Sequence, residues 1–257
     1  MSGNNIFRYT GQALCPQALT LTSTLIIMGK KRMVVLTGAG ISAESGISTF
    51  RDSGGLWEKY DISEVATPQA WERNQDLVLE FYNQRRKQLY EVEPNAGHYA
   101  LVELEQQYDV RIITQNVDDL HERAGSSHVM HLHGELKKVR SSVDEDLVYT
   151  LDGWELKAGD LCDKGSQLRP HIVWFGEPVP MIPSAAELSG TANIYVIAGT
   201  SLNVYPAAGL VDYVRPGTPI YVIDPNELYI DHIPGVQVIR EKAGTGMKKL
   251  VEMLKKG

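Results

Sequence analysis

Two histidines in HLHGEL (131–136) are side chains whose type and spacing suit chemistry. An imidazole changes charge near neutral pH, so it serves as a general base, and its neutral ring also binds metals. On an extended strand His131 and His133 share a face, which leaves a base, a two-ligand metal site and a plain strand edge all open. Upstream, TQNVDDLH (114–121) gathers amides, carboxylates and another imidazole. VVLTGAGISAESGI (34–47) runs an apolar stretch into glycines. Gly38 and Gly40 permit a tight turn and close backbone approach, and Ser42 brings a hydroxyl near a helix start. A sheet presents amide N–H groups to a pyrophosphate in this way. The third glycine of the usual fingerprint falls at Gly46, so this motif alone fits a bland strand–turn–helix equally well.

A further constellation lies in DLVLEFYNQRRKQLY (76–90), which reads as an amphipathic helix with Val78, Tyr82, Arg85 and Leu89 on one face. An arginine on a half-apolar stripe is costly unless an anion meets it. An internal salt bridge or a guanidinium snorkelling outward would also answer.

These residues need a frame. MVVLTG (33–38), VRIITQN (110–116), HIVWFG (171–176), IYVIAGT (194–200) and PIYVID (219–224) read as strands, several of them apolar throughout. Helical patterns cover 75–91, 96–107 and 245–256. The alternation predicts an α/β fold, a doubly wound Rossmann-type parallel sheet. Residues 43–95 and the polar, irregular 134–170 interrupt it and read as a smaller inserted lobe, with a cleft between lobes as a natural ligand site. The expected layout is an extension at 1–27 outside the fold and a single domain at 28–257. Its Rossmann lobe covers about 28–45, 96–133 and 171–257, and its small lobe about 46–95 and 134–170.

Composition narrows the class. The chain has 257 residues, 43% hydrophobic and 22% charged, with a formal charge of −7. An acidic balance argues against nucleic-acid binding. Cys15 and Cys162 are the two cysteines, too few for a disulfide framework or a four-cysteine zinc site. No apolar run reaches the roughly 18 residues of a membrane span, and residues 19–28 lack the basic flank of a secretory signal. A cytoplasmic monomer with neither membrane nor nucleic-acid partner is the expectation.

Taken in order, GAGISAESGISTFRD (38–52), TQNVDDLH (114–121), HGEL (133–136), RPHIVWFGE (169–177) and GTSLNVYPA (199–207) resemble the sirtuins, NAD-dependent protein-lysine deacylases. The resemblance covers roughly residues 30–250. It implies that NAD lies across the carboxyl ends of the strands. Ala39, Gly40, Ser42 and Arg51 would hold the phosphates and the nicotinamide half, with Gly38 in the same turn and Phe50 covering the nicotinamide pocket. Gln115 and Asn116 would contact the nicotinamide ribose, and Asp118 the carboxamide. Gly199, Thr200, Ser201, Asp224 and Ala243 would line the adenosine half.

The same resemblance implies His133 as the base, with Asn116 beside it in the catalytic set. The acyl-lysine oxygen attacks C1′ of the ribose and nicotinamide leaves. His133 then takes a proton from the ribose hydroxyls, and the products are O-acyl-ADP-ribose and free lysine. His131, His98 and His121 would be structural. The substrate backbone would pair as a strand between Val173–Glu177 and Asn203–Tyr205, engaging Val173, Phe175, Gly176 and Val204. Tyr82 and Arg85 match the Tyr-x-x-Arg pair of sirtuins that remove malonyl and succinyl groups, and Ala66 matches a small residue that leaves room for the longer acyl chain. Plain deacetylation and protein mono-ADP-ribosyl transfer are the alternatives.

Two features depart from the family. Ser48 stands where GIPxFR has proline. The zinc module's first cysteine pair falls near Arg140–Asp144 and its second near Leu161–Lys164, where Cys162 is the single thiol. The expectation is no zinc, with the module held by Leu147, Val148, Tyr149, Leu151, Trp154 and Leu161.

Overall fold

In the computed structural model, residues 29–47 and 59–255 are described. The extension at 1–27, Ser48, Phe50 and Arg51 lie outside them. Strand β1 (Arg32–Thr37) shows why the sheet forms: Met33, Val34, Val35 and Leu36 are fully buried, as a central strand covered on both faces requires. Alternate side chains face opposite layers. Met33 and Val35 join Leu101, Ile112, Val196, Met247 and Leu250 on one face. Val34 and Leu36 join Ile113, Tyr195, Ile197, Leu210 and Val222 on the other.

The other strands of this sheet are β2 (Asp109–Thr114), β3 (Val129–His131), β7 (Ile194–Ala198), β8 (Ile220–Ile223) and β9 (Gln237–Ile239). All pair in parallel, in the order β3-β2-β1-β7-β8-β9. Counting only these strands, that is the Rossmann order, and its two halves meet between β1 and β7. One face is covered by α1 (Ala39–Ala43), α5 (Ala96–Leu104) and α8 (Ala243–Lys255). The other carries α7 (Ile182–Ser189) and a 3-10 helix, Ala207–Tyr213. Short α6 (Leu120–Ala124) follows β2. The edge strands β3 and β9 escape sequence reading because each has three residues and no sustained apolar run.

The remaining elements form the small lobe: α2 (Ile62–Val65), α3 (Pro68–Arg73), α4 (Gln75–Glu91), β4 (Gly134–Ser141), β5 (Val148–Thr150) and β6 (Leu168–Ile172). Asn74 caps α4 by accepting the N–H of Leu77. Segment 134–170 is not irregular: it holds most of an antiparallel three-stranded sheet, β5-β4-β6. HIVWFG is also corrected. Only His171 and Ile172 are strand, and they belong to β6 here rather than to the parallel sheet. The small-lobe core is Val78, Phe81, Tyr82, Leu89, Leu136, Val139, Leu156 and Trp174.

Candidate active site

The turns after β1 and β7 touch at the switch point. Gly38 donates its N–H to Ala198 at 3.1 Å, and Gly40 donates to Gly199 at 2.8 Å. A Cβ on Gly40 would sit 2.7 Å from the Gly199 Cα, and Gly199 itself has φ +63°. These glycines therefore bring two turns together, and the Gly38 and Gly40 N–H groups are engaged within the protein. At the carboxyl ends of these strands, Ala39 and Ser42 lie on α1, Thr200 and Ser201 follow β7, and Asp224 follows β8, while Ala243 starts α8. Gln115 Nε2 donates to Thr200 Oγ1 at 3.0 Å, bridging the two halves. Buried Asp224 accepts from both the main-chain and side-chain N–H of Asn226.

Loop 115–118 is pinned on all sides. Gln115 N–H donates to Thr37 O and Asn116 N–H to Thr114 Oγ1, while Val117 O accepts from Leu136. The Asn116 amide donates to Ser42 Oγ at 3.1 Å, and Ser42 Oγ donates to Asp118 Oδ2 at 3.0 Å. Burial pushes the Asp118 carboxyl up, opposed by the donors Leu120 N–H and Ser42. Asn116, Asp118 and Ser42 thus form one buried cluster.

The two histidines of HLHGEL address consecutive carbonyls of this loop. His131 Nδ1 lies 3.0 Å from Asn116 O, and its Nε2 lies 2.8 Å from a Glu122 carboxylate oxygen. Both partners are acceptors, so both ring nitrogens carry hydrogen. Burial works against that charge, but Glu122 outweighs it and the pKa is raised. His133 Nδ1 lies 2.9 Å from Gln115 O. A carbonyl only accepts, so the proton sits on Nδ1 and Nε2 offers a lone pair. Burial lowers the His133 pKa, with the Gln115 bond opposing. One ring thus holds a proton on each nitrogen, and its neighbour is neutral with Nε2 bare. Gly134 follows with φ +82°, and a Cβ there would come within 2.0 Å of His171 O. Only glycine lets β4 start so close to β6.

The substrate-side residues are tied to the same place. Phe175 N–H donates to Ala66 O at 3.0 Å, and Val173 N–H to His133 O at 2.9 Å. Neither 173–177 nor 203–205 is a strand in this structure, and Phe175 and Val204 are exposed. Gly176 adopts φ +92° in the turn. The Trp174 indole N–H donates to the Tyr82 hydroxyl at 3.0 Å. Burial pushes Tyr82 up to about 12, so its phenol keeps its proton. The Arg85 guanidinium lies 5.7 Å from the Phe81 ring centroid and 5.8 Å from that of Tyr82. Burial lowers its pKa, and Tyr82 and Asp118 oppose the change.

Several residues escaped sequence reading. Arg86, not Arg85, is the fully buried arginine: it donates to Leu136 O and Trp154 O at 2.8 Å each and to Asn83 Oδ1. Glu122, Thr37 and Thr114 hold the loop, yet nothing in their local sequence marks them. Glu177 receives Arg169 at 2.7 Å and Trp174 N–H at 2.8 Å, bracing RPHIVWFGE upon itself.

The residues at the zinc-module positions do not fit a zinc ion. Ser141 Oγ accepts from the N–H groups of Val143 and Asp144 and bonds Ser166 Oγ at 2.8 Å, which contacts Cys162 Sγ at 3.0 Å. Lys164 pairs with Asp144. Among the described residues no group of three or more metal-ligating side chains converges. The expected apolar packing is corrected too. Val148, Trp154 and Leu161 are exposed, while Tyr149 and Leu151 pack partly against the lobe core. Hydrogen bonds hold the tip.

Fold and site together define a Rossmann-type protein with a neutral imidazole, bare at Nε2, beside its switch point. Comparison with known proteins gives the family. The Sir2 family model matches residues 38–206. An NAD-dependent protein deacylase of Bacteroides thetaiotaomicron is 55% identical, over 87% of this chain and 98% of that protein. One from Helicobacter pylori is 56% identical, over 87% and 99%. A solved Sir2 homologue–NAD complex superposes with TM-score 0.80 at 40% identity, covering 93% of this chain and 94% of that one. The chain belongs to the Sir2 family.

Proposed function

We propose that this NAD-dependent protein deacylase prefers succinyl- and malonyl-lysine over acetyl-lysine. The observation that carries the preference is the placement of the Arg85 guanidinium beside the Tyr82 phenol on α4. Arg86 is committed to main-chain carbonyls inside the lobe. Arg85 is partly buried against two aromatic faces, next to a phenol that remains a donor. A guanidinium and a phenol O–H together suit a terminal carboxylate. Ala66 and Tyr82 are tied through Phe175 and Trp174 to the segment that meets His133. An acyl chain between them would have its carbonyl at the base and its acid end at Arg85.

The crevice residues fit NAD. Ala39, Ser42 and Gln115 stand at the switch point, Asp224 and Ala243 at the adenosine end, and buried Asp118 beside Asn116. Bound NAD supplies the electrophilic ribose carbon. His133 Nε2 accepts a proton from a ribose hydroxyl, the Ser42–Asn116–Asp118 cluster fixes the loop, and Gln115 O orients the imidazole. The closely similar Bacteroides and Helicobacter proteins bear the name NAD-dependent protein deacylase, which supports the activity but says nothing of the acyl group. We extend the proposal to a cytoplasmic monomer. Among the described residues no helix is long and apolar enough to cross a membrane.

Mass spectrometry of succinyl-, malonyl- and acetyl-lysine peptides incubated with the protein and NAD tests the preference. Removal of the acidic acyl groups should outpace acetyl removal, and Arg85→Met should collapse it while acetyl removal survives. Equal rates, or an Arg85→Met variant that keeps desuccinylation, would make this a plain deacetylase. Transfer of label from NAD to protein without acyl loss would point to mono-ADP-ribosylation.

A further inference from the structure

Two buried ring nitrogens in the Rossmann lobe have no hydrogen-bond partner in the structure: Nε2 of His98 and Nδ1 of His121. The rings are 0% and 1% exposed and meet edge to face, with centroids 4.9 Å apart. Their proton positions follow from the partners on the far side of each ring. His98 Nδ1 accepts the N–H of Asn95 at 3.2 Å, so this nitrogen is bare and the proton is on Nε2. Thr37 Oγ1 donates its one hydrogen to Thr114 Oγ1 at 2.9 Å. Towards His121 Nε2, 3.1 Å away, Thr37 can then only accept, so that nitrogen carries hydrogen. His121 Nδ1 is left as a lone pair. One orphan is a donor and the other an acceptor, on rings in contact. Burial lowers His98 to about 4 and His121 well below its ordinary value, so both stay neutral near pH 7.

We propose that His98 Nε2–H is joined to His121 Nδ1, directly or through one water, making His121 a positioning residue for the cofactor loop. With that link the run is continuous from Asn95 N–H through His98, His121, Thr37 and Thr114 to the peptide N–H of Asn116. Its far end sets the main chain of the residue whose amide reaches Ser42. Its near end matters as well, because Asn95 Nδ2 donates to Ile41 O at 2.8 Å and Ser45 Oγ at 2.9 Å. The imidazole pair thus links the two segments that flank the cofactor crevice. A buried polar network of this kind holds its shape only if every member is satisfied. The inference rests on the NAD-dependent reaction but not on the acyl preference.

The direct test is long-range proton–nitrogen NMR of the nitrogen-15-labelled full chain at neutral pH. Both His98 and His121 should show the Nε2–H tautomer; an Nδ1–H tautomer or an imidazolium at either residue would overturn the proposal. This arm needs no activity, so it separates failure of the network from failure of the functional reading. Steady-state kinetics with the fastest peptide, well below the melting temperature, form the second arm. Thr37→Val and His121→Leu should each lower kcat/KM for NAD about tenfold, the factor that a lost hydrogen bond of about 1.4 kcal/mol gives. The double variant should lose no more than the worse single one, because the two act through one path. Losses that multiply would count against it. His121→Gln, whose amide can still donate to Thr37, should recover most of the rate, and a Gln variant as slow as Leu would also overturn it. If His121→Leu fails to fold, Thr37→Val and the tautomers decide.

Discussion

The switch-point region and the tip of the small lobe both hold polar residues in place, but on different frames. Around loop 115–118, the rings of His131 and His133 meet the consecutive carbonyls of Asn116 and Gln115, and the Asn116 N–H meets Thr114 Oγ1 at the buried end of β2. At the tip, side chains hold one another, Ser141 to Ser166 and Cys162 to Ser166, on a surface where Leu161 and Val143 are exposed. Carbonyls at the end of a buried sheet inherit its rigidity, so they can hold a ring in one tautomer. The departures from the family's zinc pattern fall in the second region.

The comparison breaks most readily at His133. Replacement by Ala should lower deacylation by about two to four orders of magnitude, the range for a lost general base, while NAD binding by calorimetry persists. Because burial lowers the His133 pKa below its ordinary 6.5, the acid limb of kcat/KM should fall below pH 6.5. A limb well above that value would contradict the neutral-base assignment.

Next in size is Arg86→Leu, which strands the Leu136 and Trp154 carbonyls. It should destabilise the protein by about 2–4 kcal/mol in urea unfolding, from unsatisfied buried acceptors. An unchanged midpoint would mean that these carbonyls do not depend on Arg86.

A pH-dependent effect sharpens the histidine pair. The His131 pKa is raised in the folded protein. Its stabilisation is then fully present below the unfolded value of 6.5 and is lost as pH rises through the folded value. His131→Gln should lower the melting temperature more at pH 6 than at pH 9, with a smaller loss of turnover than His133→Ala. A flat difference across pH would mean the imidazole is neutral. The smallest effect belongs to the tip: Ser166→Ala should cost about 1 kcal/mol, and dialysis against a chelator should leave the melting temperature unchanged.

Much of this was legible in the sequence. The apolar runs at 33–38, 194–200 and 219–224 are strands of the parallel sheet, because burial on both faces leaves an uninterrupted apolar record. The α4 helix falls on 75–91 as its periodicity indicates. HIVWFG misled for the same reason: Ile172 and Trp174 are buried, but in the small-lobe core, and an apolar run does not say which core receives it.

By itself, the sequence determined the α/β order, the family motifs and the side chains available for chemistry, since each depends on residues close together in the chain. Only the tertiary structure decided that His133 is bare at Nε2 while His131 is charged, that Arg86 is committed and Arg85 borders the aromatic pair, and that two orphan nitrogens of His98 and His121 complement each other. Those outcomes depend on which carbonyl, carboxylate or hydroxyl arrives from a distant segment. Hydrophobic periodicity records that a position is buried, but not what it meets there.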